Sequence, residues 1–298
     1  MRRLKTSFLF ALLYLWVVIR PVSADESALR IVTSFTILED LVRELGGEHV
    51  SVVNLVPRNS DAHMYRPKPS DSVAISNADL VVFNGLGFEG WIDRLIKDTR
   101  KEDKQLVAST GVSILTNGQE IDPHAWQSFG NIRIYVQNIS GKLISLNPLY
   151  ADNLEARKDE YLEKINQLEH QLQSKIANTP IDKRIIVTSH DAFGYLGREL
   201  DIKFLAPIVL SLDAEASALD VASVIDRIRE LHITGLFIEN ISNTRLLKII
   251  AAETDATIGG RLYSDALSET DGPAATYLEM MRHNIGSLIR AFGAHQTD

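Results

Sequence analysis

The 298-residue sequence predicts an α/β fold: two similar lobes, each a mostly parallel sheet flanked by helices, joined by a single long rigid helix. Three observations lead there. From Ala28 onward, short β-branched runs alternate with amphipathic stretches, which is the pattern of strands and helices layered on a parallel sheet. From Asn147 to Thr179 the chain is rich in Glu, Lys, Asp and Gln and has no Gly or Pro after Pro148. Beyond it the strand–helix alternation begins again. The division that follows is a leader at 1–24, an N-terminal lobe at 25–146, a linking helix at 147–179 and a C-terminal lobe at 180–298.

In the first lobe, Leu29 to Ser34 reads as a strand and Ile37 to Leu45 as a helix closed by Gly46-Gly47. Val50 to Val56 is the next strand. Pro57 to Pro69 has three prolines and little periodicity, so it is expected as an exposed loop. Asp79 to Phe83 and Gln105 to Ala108 are strands separated by the helix Trp91 to Arg100. A second irregular loop carries Asp122-Pro123-His124-Ala125-Trp126, and a helix then runs to about Leu146.

The linking helix is expected to start at Asn147 as a cap, with Pro148 in its first turn. Tyr161, Ile165, Leu168 and Leu172 recur at alternating steps of four and three, forming a packing stripe on one side. Arg184 to Thr188 opens the second lobe as a strand ending in Ser189-His190-Asp191. Ile202 to Ala206 and Ile233 to Ile238 are further strands, Ser217 to Leu231 and Leu246 to Thr254 are helices, and Ala256 to Tyr263 contains a strand and a turn at Gly259-Gly260. Tyr277 to Phe292 closes the chain as a helix.

Arg2, Arg3 and Lys5 precede the apolar run Phe8 to Ile19, with Val22-Ser23-Ala24 offering small residues for cleavage, the form of a secretory signal peptide too short to span a membrane. Cleavage there removes those cations and Arg20 but no acid, taking the formal charge from −8 to −12. That balance argues against nucleic acid and anionic membranes as partners and suits a cationic ligand. The sequence has no cysteine, which excludes disulfides, thiolate metal sites, cysteine nucleophiles and a lipid anchor on an N-terminal cysteine. The expectation is a periplasmic protein with a cleaved leader and no lipid anchor.

Gly85-Leu86-Gly87-Phe88-Glu89-Gly90 fits the dinucleotide-binding pattern, but it follows the third strand and no acid is placed for a ribose, so a tight turn is the better reading. Of eight histidines, His49, His170, His232, His283 and His295 read as surface or packing residues. His63, His124 and His190 occupy loops that follow strands or precede helices, where open α/β sheets place their ligands, and Asp265 has the same setting.

These segments carry a resemblance. The His63 loop followed by Pro67-Lys68-Pro69-Ser70-Asp71, Asn84 to Glu89, Asp122 to Trp126, Thr188 to Tyr195 and Leu262-Tyr263-Ser264-Asp265 together resemble the solute-binding proteins of zinc and manganese ABC transporters. The resemblance implies metal ligands at His63, His124, His190 and Asp265, two from each lobe, and delivery of the ion to a membrane permease by a monomer. It departs at Ala62, where Pro is common, and at Arg66, where Glu is common and where a cation would weaken binding.

Three neutral imidazoles and one carboxylate suit Zn(II), while Mn(II) prefers more oxygen and the manganese binders of the family usually carry Glu at the position of His190. Many zinc carriers also have a His-rich acidic loop, which is absent here. Zinc is therefore favoured, with manganese possible, and histidine protonation should release the ion as pH falls through about 6. The competing reading is a zinc-dependent hydrolase with Asp191 or Glu239 as base, although Glu239 fits better as a structural acid. A periplasmic metal buffer or adhesin on the same scaffold is a third. The unbroken linking helix implies a small motion on metal binding.

Overall fold

The computed structural model describes residues 28–293 apart from 119, 208–216, 234 and 243; the leader read at 1–24 lies outside them. The first lobe runs β1 (Leu29–Thr33), α1 (Thr36–Gly46), β2 (Val50–Asn54), α2 (Pro69–Asn77), β3 (Leu80–Phe83), α3 (Ile92–Asp98) and β4 (Gln105–Val107). A small ribbon, β5 (Thr116–Asn117) with β6 (Glu120–Ile121), leads to α4 (Phe129–Leu146) and then α5 (Ala151–Ile176). The second lobe runs β7 (Ile185–Val187), α6 (Gly194–Leu200), β8 (Lys203–Leu205), α7 (Ala218–Leu231), β9 (Gly235–Glu239), α8 (Arg245–Ala252), β10 (Thr257–Leu262) and α9 (Tyr277–Gly293).

Among the described residues the strands form two four-stranded parallel sheets, ordered β2-β1-β3-β4 and β10-β9-β7-β8. Counted within each lobe, both orders are second, first, third, fourth. The lobes are thus similar in topology although their sequences do not align by eye. Each sheet reverses its order beside its first strand, and in open α/β sheets ligands gather there, beyond the carboxyl ends of the strands. Helix α1 forms because Ile37, Leu38, Leu41, Val42 and Leu45 make one apolar face, and it stops where Gly47 takes a positive φ of 53°.

The period of two along each strand sorts side chains between layers. Val32, Val81 and Phe83 face a cluster with Ile75, Ile92 and Ile96 on one side of the first sheet, while Ile31, Leu80 and Val82 face the other way. In the second sheet Val187 and Leu236 pack with Val224, Ile228, Leu247 and Ile250, whereas Ile186 and Phe237 face inward. The inward faces of both sheets belong to one continuous cluster, which also contains Leu154, Tyr161, Ile165, Leu168, Leu172 and Ile176 of α5 and Met280, Met281, Ile285 and Leu288 of α9.

The linking helix differs from the expected span. Asn147 ends α4, its N–H bonded to the Leu143 carbonyl; Pro148–Tyr150 form a 3-10 turn, and only then does α5 begin. Proline fixes φ without requiring a continuous helix behind it, so it starts the 3-10 turn instead. At 26 residues α5 is about 39 Å long. Gly259-Gly260 is no turn: it lies inside β10, where the pairing with β9 shifts register. The short helices α2 and α6 were not anticipated.

Candidate metal centre

His63, His124, His190 and Asp265 meet between the two sheets, each offering one donor atom, with these atoms all within 4.8 Å of one another. Nε2 of His63 lies 3.3 Å from Nε2 of His124 and 3.7 Å from Oδ2 of Asp265. Nε2 of His124 is 3.6 Å from Oδ1 of Asp265, and Nε2 of His190 is 3.3 Å from its Oδ2. A tetrahedron with arms of about 2.0–2.2 Å has edges of roughly 3.3–3.6 Å, so these spacings leave room for a zinc-sized ion at the centre. His124, His190 and Asp265 are fully buried, while the His63 side chain is 6% exposed and marks the open side of the site.

Both oxygens of Asp265, both ring nitrogens of His190 and Oε2 of Glu239 are buried without a hydrogen-bond partner, although Glu239 Oε2 makes an ion-pair contact with His190 Nδ1. Buried polar groups are almost always satisfied. A cation bound here would complete the Asp265 oxygens and His190 Nε2.

Each ring is aimed from behind. Oδ1 of Asp122 lies 2.8 Å from Nδ1 of His124 and also accepts the His124 backbone N–H at 2.9 Å, so the short Asp-Pro-His run fixes its own histidine. Glu239, at the end of β9, does the same for His190: Oε1 accepts its N–H at 2.9 Å and Oε2 lies 2.6 Å from Nδ1. Carboxylates on both Nδ1 atoms leave Nε2 to face the centre. The Asp122 partner was missed from sequence, although the spacing of two residues is the ordinary signature of an Asx turn.

His63 is placed by its loop. Asp61 Oδ1 accepts the N–H groups of His63 at 2.8 Å and Met64 at 3.4 Å, Trp91 Nε1 donates to the Ala62 carbonyl at 2.9 Å, and Tyr65 OH donates to Asp71 at 2.8 Å. The loop is also tied to the second lobe: Arg58 donates to the Ser268 and Ala275 carbonyls at 2.6 and 2.9 Å, and the Asn59 N–H to the Leu267 carbonyl at 3.1 Å. Under the His63 ring lies Phe88, edge-on at 4.4 Å between centroids. Phe88 is delivered by the glycine motif, which folds as a tight turn with Gly85 and Gly87 at φ of 82° and 81° and wraps the buried Glu89. Glu89 accepts from Ser34 Oγ at 2.6 Å and from the Asn84 and Gly85 N–H groups, joining the ends of β1 and β3. Arg66 is exposed.

Burial pushes the His63 imidazole down to about 3, against the attraction of Asp265. Burial acts the same way on His190, but the carboxylates of Glu239 and Asp265 outweigh it and hold that ring well above the usual imidazole range. Burial opposes charge on Asp265 too, and the surrounding histidines nevertheless keep it below the usual carboxylate range. The remaining histidines lie elsewhere: His49 stacks on Tyr150, His283 contacts the Arg261 carbonyl, His232 ends α7 and His170 is exposed on α5; His295 lies outside the described residues.

A two-lobed α/β protein with a buried three-histidine, one-aspartate cluster between its sheets belongs to the class of metal-binding solute receptors. The sequence matches the family described as the periplasmic zinc-uptake complex component A over residues 31–291, and the chain belongs to that family. It is 32% identical over 268 residues to the manganese-binding lipoprotein MntA of Halalkalibacterium halodurans, covering 90% of this chain and 89% of that one. It is 30% identical over 269 residues to the iron-binding protein YfeA of Yersinia pestis, covering 89% and 86%. The periplasmic zinc-binding protein TroA of Treponema pallidum superposes with a TM-score of 0.85 at 25% identity, covering 89% of this chain and 99% of that one.

The protein is therefore a metal-binding substrate-binding component of an ABC transporter, a family that hands its ion to a permease, and it is not an enzyme. The hydrolase alternative falls with that, and Glu239 is occupied with His190. The expectation of a protein without a lipid anchor is corrected. MntA is named a lipoprotein, as are streptococcal relatives, and the absence of cysteine spoke only to one form of attachment. Placement outside the cytoplasmic membrane stands.

Proposed function

We propose that His63, His124, His190 and Asp265 are the ligands of the transported ion, and that they hold Zn(II) more tightly than Mn(II) at equal free concentration. The supporting observation is the cluster itself: four donor atoms within 4.8 Å, three of them nitrogen, with both aspartate oxygens otherwise unpartnered. Imidazole-rich sites favour zinc, and divalent-ion affinity for a given site rises from manganese towards zinc. Four protein ligands fill a tetrahedral shell and leave no open position for water, as retention of a cargo ion requires.

Elemental analysis of the purified protein, with chelator-competition titrations of Zn(II) and Mn(II) into wild type and His190→Glu, tests this. Wild type should prefer zinc, and the added oxygen donor in His190→Glu should narrow the gap. A wild type that holds manganese better than zinc would overturn the choice of metal. Loss of binding on no single substitution of the four would overturn the ligand set.

A further inference from the structure

Helix α6 grips the segment that carries His124 at both of its ends. At one end Tyr195 OH accepts the Leu115 N–H and donates to the Asp122 carbonyl, both at 2.9 Å. Those two residues close the base of the β5–β6 ribbon, where the Asp122 N–H also reaches the Leu115 carbonyl at 2.9 Å. At the other end, the Glu199 carboxylate accepts from Ser128 Oγ at 3.0 Å and from the Phe129 and Gly130 N–H groups at 2.8 and 2.9 Å, covering the start of α4. Tyr195 and Glu199 are four residues apart and so share one face of α6. His124 lies between their two attachment points. Gly194 completes the contact: a Cβ there would stand 2.8 Å from Asp122 Oδ2, on the carboxylate whose other oxygen holds the His124 ring.

The helix that grips the His124 segment also follows directly from His190, with Asp191 to Phe193 between them. We propose that α6 is a clamp joining the two lobes at the site: Tyr195 and Glu199 are positioning residues that hold His124 in register with His190, so a shift of the second lobe releases Asp122, and through it His124. The idea rests on the ligand set proposed above. It gives the permease a handle for unloading, because pulling the lobes apart disengages a ligand without unfolding either sheet.

Stopped-flow release of Zn(II) to an excess of fluorescent chelator reads this directly. Tyr195→Phe, which keeps the ring and removes only the hydroxyl, should raise the dissociation rate about tenfold while leaving the association rate unchanged. In an Asp122→Asn background the same substitution should change release by less than about twofold, because its route to His124 is already cut. Glu199→Ala breaks the other grip, leaves Asp122 intact, and should also speed release; it decides the matter if Tyr195→Phe does not fold. Unchanged release in both variants, or full additivity of Tyr195→Phe with Asp122→Asn, would overturn the clamp. A wild type that takes up no Zn(II) would overturn the ligand set as well.

Discussion

Glu239 holds His190 at two points, accepting its backbone N–H at 2.9 Å and standing 2.6 Å from its Nδ1. Both residues are fully buried and the carboxylate lies against Nδ1, so once the ring is neutral it favours the proton on that side. Glu239→Gln keeps the size and one acceptor but offers an amide N–H to Nδ1, which pushes the ring proton to Nε2, the atom proposed to bind the metal. Zinc affinity should fall by about 10- to 100-fold. Competition with a chelator measures it, and an unchanged affinity would show that the carboxylate does not control the tautomer.

Metal uptake should release protons even at neutral pH. His190 is held protonated above the usual imidazole range, so the arriving ion displaces a proton there, whereas His63, pushed down to about 3, is already neutral. Zinc affinity should rise with pH through the neutral range, because the proton must leave His190 before the ion binds there. The sequence suggested a loss beginning near pH 6; the buried carboxylates move its onset upward. Calorimetry in buffers of different ionisation enthalpy counts the protons, and a count near zero at pH 7 would refute this.

Asp40 is a second pH-sensitive point, remote from the cluster. Its Oδ2 accepts the N–H of Tyr277 at the start of α9 at 2.8 Å, and burial pushes its carboxyl up from 3.8 to about 7, with Glu44, Arg58 and Glu279 as the nearby charges. Because the folded value is raised, its contribution to stability is complete below 3.8 and is lost as pH rises through 7. Asp40→Asn retains an acceptor and removes that loss. Above pH 8 it should be the more stable protein, by on the order of a few kcal/mol, with the difference vanishing near pH 4. Urea titrations at the two pH values compare them.

Phe88 is 1% exposed and touches Phe35, His63 and Trp126, with ring centroids 4.9, 4.4 and 4.7 Å away. Phe88→Ala should cost about 3–5 kcal/mol of stability from the cavity alone. It should also weaken zinc binding, because the His63 ring loses the surface it rests on. Phe88→Leu should recover most of both. A stable Phe88→Ala protein with full affinity would mean that His63 is held by its loop and not by this ring.

Much of this was legible in the residues. The alternation of β-branched runs with amphipathic stretches located the strands of both sheets, most clearly at β3, where all four residues are buried, and at β9, where four of five are. The four polar residues at the centre stood out because the three histidines sit in loops that follow a strand or precede a helix, where open α/β sheets place their ligands, and Asp265 has the same setting. Other features depended on distant partners. Asp122 and Glu239 are ordinary acids until the fold sets them against histidines, and Tyr195 and Glu199 matter through residues 73 and 71 positions away. Asn147 and Pro148 misled in the opposite way, for their local preference served the end of α4 and a 3-10 turn.

The continuous cluster that runs from the inner face of one sheet through α5 and α9 to the inner face of the other has a thermodynamic consequence. Two lobes in outline are one cooperative unit in energy. Heating should melt both in a single calorimetric transition, and severing the chain within α5 should yield two fragments that fold only in each other's company. For a carrier that works outside the cytoplasmic membrane, this makes the cargo a stabiliser of the whole molecule, because an ion that binds only the native form raises the melting temperature of both halves together.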